Sequence, residues 1–221
     1  MKGFVKFTVT AVFGLLAAAT AFAQMGMGMR SGAQQMHGVW NPVVGRGAVY
    51  DIQGSDGKKN SMEISVVGKE SVDGKDAYWL EMSFDSSERG GQMVMKHLIV
   101  LDAGQTHAVK VIMQMPGQSP MEMPMQMMQR NSTHTADIRS DAQDVGSESI
   151  TVPAGTFASE HYKTKDGGDV WVAKDVSPWG MVKFQSKDTT MVLTKLVTDA
   201  KDKITGTPQP MNPMMMGQRP Q

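Results

Sequence analysis

The side chains best suited to ligation or proton transfer in this 221-residue chain are five histidines, His37, His97, His107, His134 and His161, and there is no cysteine. A metal site built from imidazoles needs them at a short helical or hairpin spacing, and no His-x-x-x-His or comparable pattern occurs. If Asp102-Ala103-Gly104-Gln105 turns so that Leu101 pairs with Thr106, His97 falls opposite Lys110 and His107 opposite Val100. The two rings then lie on opposite faces of one sheet, so the five histidines read as solvated or hydrogen-bonded groups. The glycine motifs are near misses. Gly68-Lys69-Glu70-Ser71-Val72-Asp73-Gly74-Lys75 has one residue too many for a phosphate loop, and Asp76 stands where Ser or Thr would hold magnesium. Gly26-Met27-Gly28 lacks the third glycine and the helix of a dinucleotide site, and Gly117-Gln118-Ser119 runs into Pro120-Met121 instead of forming a nucleophile elbow. Without cysteine, disulfide scaffolds, thiolate zinc sites and cysteine nucleophiles are excluded. The expectation is a protein that is not an enzyme and has no resident cofactor.

Methionine is the other unusual donor, with 22 in the chain. Met62, Met82, Met93, Met95, Met113, Met181 and Met191 fall inside apolar runs, where the thioether is an adaptable core filler. The dense stretch is elsewhere: Met113 to Arg130 reads M-Q-M-P-G-Q-S-P-M-E-M-P-M-Q-M-M-Q-R. Three readings stand side by side. Thioethers are soft donors, so Met121, Met123, Met125, Met127 and Met128 would suit Cu(I) or Ag(I), making copper the alternative cofactor. Unbranched polarizable side chains also make a forgiving surface for a variable lipid or apolar partner. The third reading is a low-complexity loop that tolerates methionine.

The elements that would position these groups are strands, preceded by an export signal. Lys2 and Lys6 lead into an uncharged, mostly apolar run from Phe7 to Ala19, and Ala21-Phe22-Ala23 supplies the small-x-small pattern of a signal-peptidase site. Residues 1–23 are therefore expected to be removed after Ala23, with a periplasmic destination for the rest. The 22 basic and 22 acidic residues become 20 and 22 once Lys2 and Lys6 are gone. Such a balance lacks the clustered cations of a nucleic-acid binder. Residues 24–38, rich in Gly, Met and Gln, read as a flexible arm, and residues 204–221 as a disordered Pro- and Met-rich tail.

Between them, residues 39–203 read as strand after strand with turn chemistry between. Met62, Ile64 and Val66 alternate with Glu63 and Ser65, and Tyr78, Leu80, Met82 and Phe84 alternate with Trp79, Glu81 and Ser83. Further runs cover 47–53, 93–101, 107–115, 145–152, 156–164, 169–173, 181–185 and 189–197. Short turns between them imply an antiparallel meander. A sheet of about nine strands curls, so the fold class is mainly β, a single curved antiparallel sheet or incomplete barrel with a short helical or loop lid over the concave face. The lid falls on the Met-rich segment, whose prolines limit it to one or two turns.

Four segments carry a resemblance: Glu148-Ser149-Ile150-Thr151-Val152-Pro153-Ala154-Gly155-Thr156-Phe157, Asp169-Val170-Trp171-Val172-Ala173, Pro178-Trp179-Gly180-Met181-Val182-Lys183, and Met191-Val192-Leu193. They resemble uncharacterised exported proteins of the LolA-like superfamily, which includes periplasmic lipoprotein carriers and receptors. The resemblance implies an incomplete antiparallel barrel wrapped around helices that plug an apolar cavity. It also implies a lipid or other hydrophobic ligand, with transient membrane or envelope-protein contact. Joined to the alternation above, it gives Met62, Ile64, Val66, Tyr78, Leu80, Met82 and Phe84 as the expected lining of the ligand site.

Overall fold

A computed structural model of the chain describes residues 38–86, 91–102, 105–125 and 135–211. Thirteen strands share one sheet. The first meander comprises β1 (Gly47–Gly54), β2 (Lys59–Val72), β3 (Lys75–Ser86), β4 (Gly91–Asp102), β5 (Gln105–Gln114) and the short β6 (Met121–Glu122). A two-residue β7 (Thr135–Ala136) pairs with β5 beside it, followed by the single helical turn α1 (Ile138–Asp141). The second meander is β8 (Gln143–Val152), β9 (Gly155–Lys163), β10 (Asp169–Val172), β11 (Met181–Gln185) and β12 (Thr189–Val197), and β13 (Gln209–Pro210) closes the series. The two meanders join where β12 pairs with β1, giving the order β13-β6-β5-β4-β3-β2-β1-β12-β11-β10-β9-β8. All pairings are antiparallel except β13 with β6. The end strands β13 and β8 do not pair, so the sheet stays open as expected.

The sheet is curled. The Trp40 ring lies 6.2 Å from Tyr78 on β3 and 4.5 Å from Trp179, just before β11, so those two rings are at most about 11 Å apart. Flat spacing would put β3 and β11 about 19 Å apart across four strand intervals. The side chains on the inside of the curve form the main core, with Tyr50, Met62, Ile64, Met181, Met191 and Leu193 fully buried. Tyr50 donates its hydroxyl to the Met181 carbonyl at 2.9 Å, so its polar atom is satisfied where burial drives its pKa upward. Residues 38–41 seal one end of the curve, with Val39 and Asn41 donating to the carbonyls of Trp179 and Pro178, both at 2.7 Å. A Cβ on Gly38 would sit 2.0 Å from the Trp179 oxygen, so only glycine fits there.

Three differences from the sequence reading have local causes. A bulge in β5 beside Leu98 and Ile99 shifts the register, so His97 lies opposite Val111 instead of Lys110, while His107 does face Val100. Met121 and Glu122 add a short strand opposite Met113 and Ile112 where a lid was expected, while residues 126–130 lie outside the described part. Residues 204–211 are packed: Thr205 bonds Gln114 through both side chain and backbone, and β13 runs along β6. Polar edge contacts of this kind leave no hydropathy signal. The proposed signal segment, residues 24–37 of the arm and residues 212–221 lie outside the described residues.

Candidate functional site

The seven residues expected to line a ligand site lie on the inner face of β2 and β3. Met62 opposes Phe84, Ile64 opposes Met82 and Val66 opposes Leu80. Met62, Ile64, Val66, Leu80 and Met82 are buried, whereas Phe84 and Tyr78 are half-buried at the margins. Tyr78 takes Trp40 edge-on and has the Lys69 ammonium 5.4 Å from its ring centre.

Continuing across the sheet, the register assembles a row that sequence separation hides. Met82 opposes Met95, Met95 opposes Met113, and Met113 opposes Met121, so four consecutive strands each contribute one thioether to a single line. Directly opposed residues have Cβ atoms about 5 Å apart, well within the span of two methionine side chains. Burial falls along the row: Met82 is buried, and Met95, Met113 and Met121 are half-buried. The parallel row beside it holds Leu80, His97 and Val111, and the Met123 amide donates to the Val111 carbonyl at 2.9 Å. The His97 Nε2 is sealed from solvent and has no hydrogen-bond partner among the described residues. Burial lowers the pKa of this ring to about 4, so the imidazole is neutral at physiological pH. Of the five methionines expected as soft ligands, Met121 stands in the methionine row, Met123 is tied to Val111 in the row beside it, Met125 is half-buried, and Met127 and Met128 lie outside the described residues.

The outer face of the same strands holds a cluster that alternation alone reads as solvated. Glu81 and Ser83 are each only 2% exposed. They are covered by the chain that follows β12, where the Lys203 amide donates to Glu81 at 3.0 Å and its ammonium donates to Ser83 and pairs with Glu63, both at 2.8 Å. The Lys96 ammonium pairs with Asp202 and sits 4.7 Å from the centre of the Trp79 ring. Burial, and then the Asp202 carboxylate, push Glu81 up to about 7 against the opposing pull of the Lys203 amide. Burial would also raise Asp202, but hydrogen bonds from the Lys96 ammonium and the Ile204 amide outweigh it and hold Asp202 below its ordinary value. Three carboxylates face two ammonium groups, and one proton retained by Glu81 neutralises the set.

A second outer cluster occupies β8 to β10. His161 stacks on Trp171 with ring centres 4.4 Å apart, and its two nitrogens face Glu148 at 3.2 Å and Asp169 at 3.0 Å. Trp171 donates to Glu148 at 2.6 Å, and Lys183 covers the indole at 4.8 Å. Opposite His161 stands Gly146, at a bulge with φ of 125°, and the missing side chain leaves an open recess of about 240 Å³ bounded by Val145, Ser147 and Glu148. Among the described residues no three His, Asp or Glu side chains are grouped to hold a metal ion, and no helix is long and apolar enough to cross a membrane.

No family model matches the chain, and no curated protein matches it. Solved structures do. One is described as a candidate exported protein with a YmcC-like fold from Bacteroides fragilis, at 14% identity and a TM-score of 0.37, covering 72% of this chain and 99% of that one. Another is described as a candidate lipoprotein from Parabacteroides distasonis, at 15% identity and a TM-score of 0.39, with the same coverages.

Proposed function

We propose that the protein is a non-enzymatic, exported binding or carrier protein that takes a lipid or other hydrophobic group on the inner face of its sheet. The observation that carries this reading is the gradient along the row Ile64, Met82, Met95, Met113 and Met121. It runs from fully buried to half-buried without meeting a charge. An apolar strip that continues a core outward to a reachable margin gives a flexible chain something to lie against, and thioethers adapt to its shape. The buried members, Met62, Ile64, Val66 and Leu80, then act as the floor, and Phe84, Tyr78, Met95, Met113 and Met121 as the contact surface. The LolA-like resemblance of the second meander agrees with this reading, as does the signal-like N-terminus, which gives a periplasmic location with transient envelope contact.

The test is native purification followed by lipid extraction and mass spectrometry, with uptake of a fluorescent fatty-acyl probe measured in parallel. The expected result is stoichiometric acyl material or saturable probe binding, weakened at least fivefold by Met113→Ser together with Met121→Ser. Absence of both signals in the unaltered protein overturns the proposal.

A further inference from the structure

We propose that Met95, Met113 and His97 form a binding site for a soft monovalent cation, Cu(I) or Ag(I), with the neighbouring thioether of Met121 as the additional donor. Three observations meet there. The sheet register places the Met95 and Met113 side chains directly opposite each other and puts Met121 next in the same line. His97 is two residues from Met95 on the same strand face and diagonal to Met113, a relation that leaves Cβ atoms about 7 Å apart and within reach of two long side chains. The His97 Nε2 is a buried nitrogen with no partner among the described residues, an arrangement that is costly and rarely kept without a reason.

The donor set selects the ion. Thioethers and a neutral imidazole carry no charge, bind soft ions well and hard ones poorly, and suit a cation whose charge is only +1 in an apolar setting. Calcium, magnesium or manganese would require carboxylates, and Glu81 and Glu63 on the neighbouring strands point to the opposite face, under Lys203. Half-exposure of Met95, Met113 and Met121 leaves an approach from the sheet margin. This site differs from the one suggested by the sequence alone. It uses residues on three strands, brought together by pairing, and shares only Met121 with the five methionines expected as ligands from the sequence. The inference does not rest on the carrier reading.

The experiment is anaerobic titration of the full-length mature chain with Cu(I) buffered by a chromogenic Cu(I) chelator, followed by X-ray absorption spectroscopy. Expected are one equivalent of Cu(I) per chain and a first shell containing both sulfur and nitrogen. Met95→Leu with Met113→Leu should lower affinity at least a hundredfold, and His97→Phe should remove the nitrogen scatterer. Replacing Met123, Met125, Met127 and Met128 with leucine should change affinity less than threefold. Leucine is near methionine in volume, so the double variant should keep its fold, read as a denaturation midpoint close to that of the unaltered chain, and lost Cu(I) affinity in a folded chain then reports on this site alone. A readout without substitution is the methyl spectrum of 13C-methyl-methionine protein titrated with Ag(I). Assigned signals of Met95 and Met113 should shift in step with saturation. Cu(I) binding unchanged in the double variant, no competition with the chelator, or unmoved Met95 and Met113 signals would each overturn the proposal.

Discussion

The two faces of β2 to β4 are both buried, yet by opposite means. Inside the curve, Ile64, Met82, Leu80 and Val66 are covered by other apolar groups and need no partner. Outside it, Glu81, Ser83 and Lys96 reach comparable burial only because one crossing segment, Asp202 and Lys203, supplies a partner for each of them. The inner layer is additive and tolerant of shape changes, while the outer layer depends on completeness: removing any one charge strands another. The comparison predicts which substitutions hurt and how their effects depend on pH.

The largest effect should come from the inner layer. Ile64→Ala at a fully buried site opposite Met82 should cost about 3 kcal/mol, read from the denaturant midpoint with an unchanged m-value. On the outer layer, Asp202→Asn leaves the Lys96 ammonium 10% exposed without its carboxylate, and about 2 kcal/mol should be lost. The double variant Lys96→Met, Asp202→Leu should regain most of that. If the double variant is no more stable than the single one, unpaired charge is not the cause.

The third effect is a drift with pH. Glu81 has a folded pKa of about 7 against an ordinary 4.5, so the folded state holds a proton that the unfolded state releases. Its contribution to stability is fully present below about pH 4.5 and is lost as pH rises through about 7. Asp202 is shifted the other way, and its contribution disappears only in acid, outside that window. The melting temperature should fall between pH 5 and pH 8, and Glu81→Gln, which keeps a donor for Asp202 but cannot ionise, should flatten the curve. The smallest effect belongs to the exposed pair Lys69–Asp76 at 2.7 Å, where solvent screens the charges and Lys69→Ala should leave the denaturant midpoint unchanged within error.

Much of this architecture was legible in the sequence, because alternation and turn residues are local signals. The runs read as strands at 47–53, 93–101, 181–185 and 189–197 agree with the observed elements to within about two residues. Pairing between distant strands was less legible. The methionine row depends on three registers in series, and a one-residue bulge near Val109 is enough to move His97 from Lys110 to Val111. Glu81 and Ser83 look solvent-facing because their cover comes from Asp202 and Lys203, some 120 positions later, and no periodicity links the two. The recess at Gly146 was hidden for a similar reason: it arises from a missing side chain opposite His161, and a lone glycine in a strand does not say what stands across from it.

The joint between the two meanders has a kinetic consequence. Gly47 pairs with Val197, so β1 acquires its second neighbour only after nearly the whole domain has been made. Contacts this distant in sequence close slowly, since the intervening chain must be ordered or looped before any bond forms. Until residues 189–197 arrive, β1 presents an open strand edge to any other chain nearby, a template for intermolecular pairing. Folding should therefore be concentration-sensitive before that ladder closes and much less so afterwards, and a chain ending before Thr189 should aggregate instead of forming a smaller stable sheet.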